Sequence, residues 1–256
     1  MNGLQMSEWT GLADRAPEAG FGTVFPDACA EIWDDTGRGR TDGIDDAAFV
    51  AGVVDRLVSD GVARKGAVFL VGLSNGAFFA ERLARHDLIH AYGLALVAGT
   101  AREASRLAAT TPLHEAAVLC VEGTADRLVP YSGGLASGPM AWMARRRSRR
   151  LLIDQMGRDV VAAESVAADW AGVNGCPSIP EVELMPGESG DPKVHRLTWA
   201  APGHLPVVLY RIVGGGHGWP GGPQYMPASL IGKVSRHLDA TGIVLDFAWS
   251  TLHDRG

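Results

Sequence analysis

Gly72-Leu73-Ser74-Asn75-Gly76 is a G-x-S-x-G pentapeptide set between two segments of opposite character. Ala67-Val68-Phe69-Leu70-Val71 before it is a continuous apolar run, β-branched and aromatic, as a strand buried on both faces reads. Ala77 to Arg85 after it reads as a helix. Strand, sharp turn and helix in that order describe a nucleophile elbow, which constrains the fold more than any other stretch of the chain. Gly72 and Gly76 are expected to leave room where a Cβ would collide with a neighbouring strand or helix. The Ser74 hydroxyl is then raised above the sheet, and the Asn75 amide is placed to donate to an oxyanion. The pentapeptide also suits a glycine-rich turn around an inert serine; the flanking strand and helix favour the elbow.

The remaining chain alternates helix and strand. Ser7 to Ala16 reads as a helix with Ser7 as N-cap and Pro17 and Gly20 as stops. Gly22-Thr23-Val24-Phe25 reads as a short strand, and Asp27 to Gly43 as a loop carrying Trp33. Asp45 and Asp46 open a helix that runs to about Val58, with Phe49, Val50, Val53, Val54, Leu57 and Val58 at helical spacing. Strands are expected at Tyr92–Ala98, Ala117–Val121 and, last, Val207–Val213, and helices at Ala162–Val173 and Pro227–Leu238. This alternation implies an α/β fold: a mostly parallel sheet covered by helices on both faces. At 256 residues and 46% apolar, a single domain over 1–256 with a sizeable core is expected, with room for a cap-like insertion at about 132–160.

Charge and composition exclude several classes. A net charge of −6 argues against a nucleic-acid partner, and no apolar run is long enough for a membrane span. Met1-Asn2-Gly3-Leu4-Gln5 has neither the basic region nor the apolar core of a signal peptide. There is no CxxC and no paired-histidine spacing, so no metal site is legible. Cys120 reads as a buried small hydrophobe; whether Cys29 and Cys176 pair is open. Arg145-Arg146-Arg147-Ser148-Arg149-Arg150 reads as a solvated loop.

A serine nucleophile needs a base and an acid at other strand ends. His217 lies just past the last expected strand, in Gly214-Gly215-Gly216-His217-Gly218-Trp219-Pro220-Gly221-Gly222. Six glycines in nine positions let the backbone bring an imidazole close to a neighbouring turn. The other seven histidines, His90 and His114 among them, lack that context and read as surface residues. Asp126 follows the Ala117–Val121 strand and lies between serine and histidine, the α/β-hydrolase order. A turn aspartate or a partner for Arg127 is the other reading of Asp126.

Taken together, Gly-Leu-Ser74-Asn-Gly-Ala, Gly-Thr-Ala-Asp126-x-x-Val-Pro-Tyr-x-Gly-Gly and Gly-Gly-Gly-His217-x-Trp-Pro-Gly-Gly resemble the polyhydroxybutyrate depolymerase and feruloyl esterase group of α/β-hydrolases. Phe25-Pro26-Asp27, Asp45-Asp46 and Asn174-Gly175-Cys176 resemble it as well. The resemblance runs from about Asn2 to about Pro223. It implies a serine carboxylesterase without metal or organic cofactor, acting on hydroxyalkanoate esters or on acyl groups of plant polysaccharide. It implies that Trp219 is a site-wall tryptophan, with Tyr131 on the acid's loop as a further substrate contact; Trp33, read from its loop alone, either packs locally or faces the substrate. Relatives of this group suggest secretion. Family members carry a strand ending in His-Gly, whose loop supplies the first oxyanion amide, before the segment resembling Asn2–Met6. The resemblance thus implies a sheet lacking the family's first strands, with a gap between the Gly22–Phe25 strand and the elbow strand. The expected consequences are a weak esterase, a homodimer that covers the open edges, or a second donor near Asn2 or Gly3. A non-catalytic binding module is the reading from another class.

Overall fold

Residue alternation sorts the strands of the sheet. In the computed structural model, which describes residues 2–37, 39, 42–108, 113–135, 160–185 and 194–253, four parallel strands carry the core. They are β1 (Phe69–Leu73), β2 (Gly93–Val97), β3 (Ala117–Gly123) and, later in the chain, β6 (Val207–Ile212). Leu94, Leu96, Val118, Cys120, Val207 and Leu209 face one layer of helices. Ala95, Val97, Leu119, Val121, Val208 and Tyr210 face the other. Both faces are apolar because both are covered, and each fully buried Leu or Val contributes roughly 1.5–3 kcal/mol over exposure.

One layer holds α4 (Asn75–Arg85) and the helix Ala163–Val173, whose Trp170 is wholly buried. The opposite layer holds α1 (Gly3–Thr10), α2 (Leu12–Arg15) and the C-terminal helix Ala240–His253. α3 (Asp46–Ser59) packs outside α4 through Val50 against Phe79, Leu83 and Ile89. The short α5 (Glu103–Ala108) follows β2.

The sheet runs β1-β2-β3-β6 and is continued past β6 by β5 (Val194–Trp199) and β4 (Glu181–Met185), which corrects the expected arrangement. Residues Gly22–Phe25 form no strand, so no gap opens inside the sheet. The elbow strand β1 is instead an edge, and Val71 is 38% exposed there rather than buried on both faces. At the far edge, β4 and β5 add an antiparallel pair that the sequence reading did not anticipate.

Two helix boundaries also differ. The N-terminal helix starts at Gly3, capped by a box in which the Asn2 side chain accepts from Gln5 N–H and the Gln5 side chain accepts from Asn2 N–H. It breaks at Gly11, which is left-handed at φ 63°. Ser7 is therefore interior to the helix and not its cap. The expected Pro227–Leu238 helix is a single turn, Ala228–Ile231, ended by left-handed Gly232 at φ 80°. Asp45 caps α3 by accepting from Ala48 N–H at 2.9 Å, as expected of an aspartate at a helix N-terminus. Cys29, Cys120 and Cys176 are all free. The arginine run 145–150 and most of the expected insertion at 132–160 lie outside the described residues.

Candidate active site

Ser74 occupies φ 55°, ψ −118°, a backbone region that a side-chain-bearing residue adopts only under strain, at a cost on the order of 1–3 kcal/mol. The strain is held by packing on both sides of the turn. A Cβ on Gly72 would lie 2.2 Å from the Gly76 carbonyl oxygen, so the crossing of β1 and α4 tolerates only glycine there. At Gly76 a Cβ would meet nothing within 4 Å, which corrects the expectation that both glycines clear the turn. Ser74 N–H donates to Val97 O at 2.9 Å, tying the elbow to β2.

The glycine-rich loop after β6 delivers His217. Its backbone is gripped by the segment expected to be helical: Gly216 N–H donates to Lys233 O and His217 N–H to Ile231 O, each at 2.7 Å. A Cβ on Gly216 would lie 2.3 Å from the Gly232 carbonyl carbon, which accounts for glycine at that crossing. The imidazole is buried at 1% exposure, with Nε2 2.9 Å from Ser74 Oγ and Nδ1 2.7 Å from Asp126 Oδ2. Asp126 follows β3. Its other oxygen, Oδ1, accepts from Leu128 N–H at 2.7 Å and Val129 N–H at 2.8 Å. The carboxylate is thereby fixed by two backbone donors while its free oxygen meets the imidazole, an arrangement that selects the tautomer with Nε2 open to the serine hydroxyl. The three residues meet from the carboxyl ends of β1, β3 and β6, as the sequence order implied.

Asn75 opens α4, and no acceptor among the described residues takes its backbone N–H, as is usual in the first turn of a helix. Its side chain has a separate task. Asn75 Oδ1 accepts from Trp33 N–H at 2.8 Å, and Asn75 Nδ2 donates to Trp33 O at 3.2 Å. The Trp33 ring stacks on Phe79 of α4, with centroids 5.0 Å apart and planes 2° from parallel. Trp33 is thus pinned beside the elbow. The neighbouring buried Asp35 pairs with Arg102 at 2.7 Å, and the Arg102 guanidinium lies over the Phe78 ring at 4.1 Å.

The other expected contacts fall elsewhere. Trp219 is 3% exposed in the core, and its indole N–H donates to Thr241 Oγ1 at 3.0 Å; it braces the histidine loop against the C-terminal helix instead of forming an open wall. Tyr131 is half-buried, its hydroxyl donating to Glu164 Oε1 at 2.7 Å. The backbone donors nearest the chain start are already committed, Asn2 N–H to Gln5 Oε1 and Gly3 N–H to Asp27 Oδ1.

Sequence reasoning missed Glu122, fully buried in β3 near Asp126. Burial pushes its carboxyl well above the usual range, against the hydrogen bond it accepts from Gly99 N–H at 3.0 Å, and the nearby Asp126 charge adds to the rise. An acidic residue ending an apolar strand run, Val121-Glu122-Gly123, was the available signal.

No family model matches the chain. It is 30% identical over 249 residues to the "Putative esterase NocK" of Nocardia uniformis subsp. tsuyamanensis, an alignment that takes in 95% of this chain and 69% of that protein.

Proposed function

The chain belongs to the esterase family of that Nocardia protein, and from this premise we propose that it hydrolyses carboxylic esters through an acyl-enzyme on Ser74. The observation that carries the reading is the continuous hydrogen-bonded chain Ser74 Oγ–His217 Nε2, His217 Nδ1–Asp126 Oδ2 on a strained elbow. In the first half-reaction Ser74 Oγ bonds to the ester carbonyl carbon and its proton passes to His217 Nε2. The oxyanion that develops faces the Asn75 N–H. Collapse breaks the bond to the alkoxy oxygen, and the imidazolium returns the proton to the leaving alcohol. In the second half a water attacks the acyl-enzyme with His217 as base. The carboxylic acid leaves and Ser74 is restored, so ester and water become acid and alcohol.

The motif resemblance supports the finer reading of short or flat acyl esters, of the hydroxyalkanoate or feruloyl and acetyl-polysaccharide type. Trp33, held by the Asn75 side chain, supplies an aromatic surface beside the oxyanion donor. With Asn2 and Gly3 N–H engaged elsewhere, Asn75 is the one donor assigned to the oxyanion.

Labelling decides the matter. A sulfonyl fluoride or organophosphate should modify Ser74 and abolish p-nitrophenyl acetate hydrolysis, and Ser74→Ala should remove both. Label on another serine, or none under conditions that label a control esterase, leaves the non-catalytic binding module as the correct reading.

A further inference from the structure

We propose that Asp87, His90 and His114 form a three-ligand site for a divalent transition metal, zinc being the ion that fits, at the end of the sheet away from Ser74. Asp87 lies two residues past α4, His90 in the loop leading to β2 and His114 in the loop leading to β3. In a parallel sheet those loops enter the amino ends of the strands, opposite to the catalytic candidates. The proposal therefore does not depend on the esterase reading.

The geometry is that of converging ligands. His114 Nε2 lies 3.1 Å from Asp87 Oδ2, and His90 Nδ1 lies 3.9 Å from Asp87 Oδ1. One donor atom from each residue falls within 4.8 Å of the others. On a tetrahedral zinc with bonds of about 2.0–2.1 Å, ligand atoms stand about 3.3 Å apart and two imidazole centroids about 5 Å apart. The His90 and His114 rings have centroids 5.2 Å apart. The two contacts run to different oxygens of Asp87, so one ion needs the carboxylate to turn and the widest donor pair, within 4.8 Å, to close by about 1.5 Å at most to the tetrahedral spacing; all three residues are exposed.

Two further features favour a metal over a simple hydrogen-bonded cluster. One carboxylate faces two imidazoles, and only one hydrogen bond joins them. The α4 C-terminus ends beside the cluster, where the helix dipole favours a cation. The cleft floor is apolar, lined by Ala84, Ile89, Ala91, Ala116 and Trp170. Two nitrogens and one carboxylate suit zinc; magnesium and calcium prefer all-oxygen sets. Water completes the fourth position. Bound there, the ion ties the end of the elbow helix to the leads of β2 and β3.

Tag-free, chelator-treated protein is titrated with zinc chloride against a chromogenic chelator, and Tm is measured with and without zinc. The expected result is one zinc per chain and a Tm rise of about 2–4 °C at zinc some fivefold above Kd. His90→Ala and His114→Ala should each lose the stoichiometric binding and the Tm rise, while His253→Ala keeps both. Magnesium chloride at the same concentration should shift nothing. Wild type that binds no zinc, variants that bind it as wild type does, or an equal response to magnesium would overturn the proposal.

Discussion

At Ser74 and Asp126 the local chemistry is set by backbone groups. Asp126 Oδ1 is held by two N–H donors, so replacing the carboxylate by an amide keeps the loop but changes what faces the imidazole. In Asp126→Asn the Oδ1 acceptor is retained, and an NH2 group meets His217 Nδ1, favouring the wrong tautomer. We expect kcat to fall by about 10⁴, as in serine-protease triads, with Tm nearly unchanged; ester hydrolysis and calorimetry on the same sample check this. Glu122 offers a pH-dependent test. Its folded pKa is raised by burial, so between the unfolded and folded values the folded state holds a proton that the unfolded chain has released. The stability derivative with pH is then negative, at most about 1.4 kcal/mol per unit for this proton. Glu122→Gln keeps an acceptor for Gly99 N–H and removes the titration. The variant should match wild type below the ordinary glutamate range and become more stable than wild type as pH rises above it in thermal scans.

At the scale of elements, close backbone crossings decide what the turns tolerate. β1 and α4 meet where a Gly72 Cβ would sit 2.2 Å from backbone, and no rotamer can relieve a clash with a carbonyl. Gly72→Ala should cost at least the 1–3 kcal/mol typical of overpacking. Gly76→Ala, in open space on the first turn of α4, should hold or raise Tm, since alanine is favoured over glycine in a helix by roughly 0.5–1 kcal/mol. Melting curves of the two variants separate the predictions. The His217 loop follows the same logic. It is held by backbone bonds to residues 231 and 233, so a segment that reads as helix is kept extended by the strand-like pairing it makes with the glycines.

Across the whole molecule, two apolar faces must both be covered for the parallel strands to be stable. The C-terminal helix contributes Ala240, Val244 and Leu245 to the face that also carries Leu119, Val121 and Tyr210, and Tyr92 Oη donates to its Ala248 carbonyl at 3.1 Å. Arg15 on α2 donates to both oxygens of Asp239 just before it, each at 2.8 Å, and the same carboxylate accepts from the Gly242 and Thr241 N–H groups that open the helix. Ending the chain at Asp239 would bare one face of β2 and β3. The truncated protein should lose its cooperative thermal transition and bind a hydrophobic dye, whereas Asp239→Ala, which removes only the helix cap and the Arg15 contact, should keep a cooperative transition at a lower Tm.

The sequence by itself determined the elbow, the four parallel core strands, α3 and α4, and the position of Ser74, Asp126 and His217 each just past a strand end. Each was written in a contiguous stretch: apolar runs of strand length, helical spacing, glycines beside one serine and one histidine. Such signals act over a few residues, where φ, ψ and side-chain sterics are local. Only the tertiary structure decided that β1 is an edge, that β4 and β5 run antiparallel beside β6, that Trp219 is a buried brace, and that residues 228–238 make one helical turn. The same holds for the convergence of Asp87, His90 and His114. These depend on which segments lie side by side. β5 reads Val-His-Arg-Leu-Thr-Trp, with Leu197 and Trp199 in one core and Val194 in the other, and nothing within it specifies its neighbour. Gly232 ends a helix because the Gly216 backbone lies against it, a contact between residues sixteen positions apart. Pairing partners and burial are non-local quantities, set when the chain closes on its two cores.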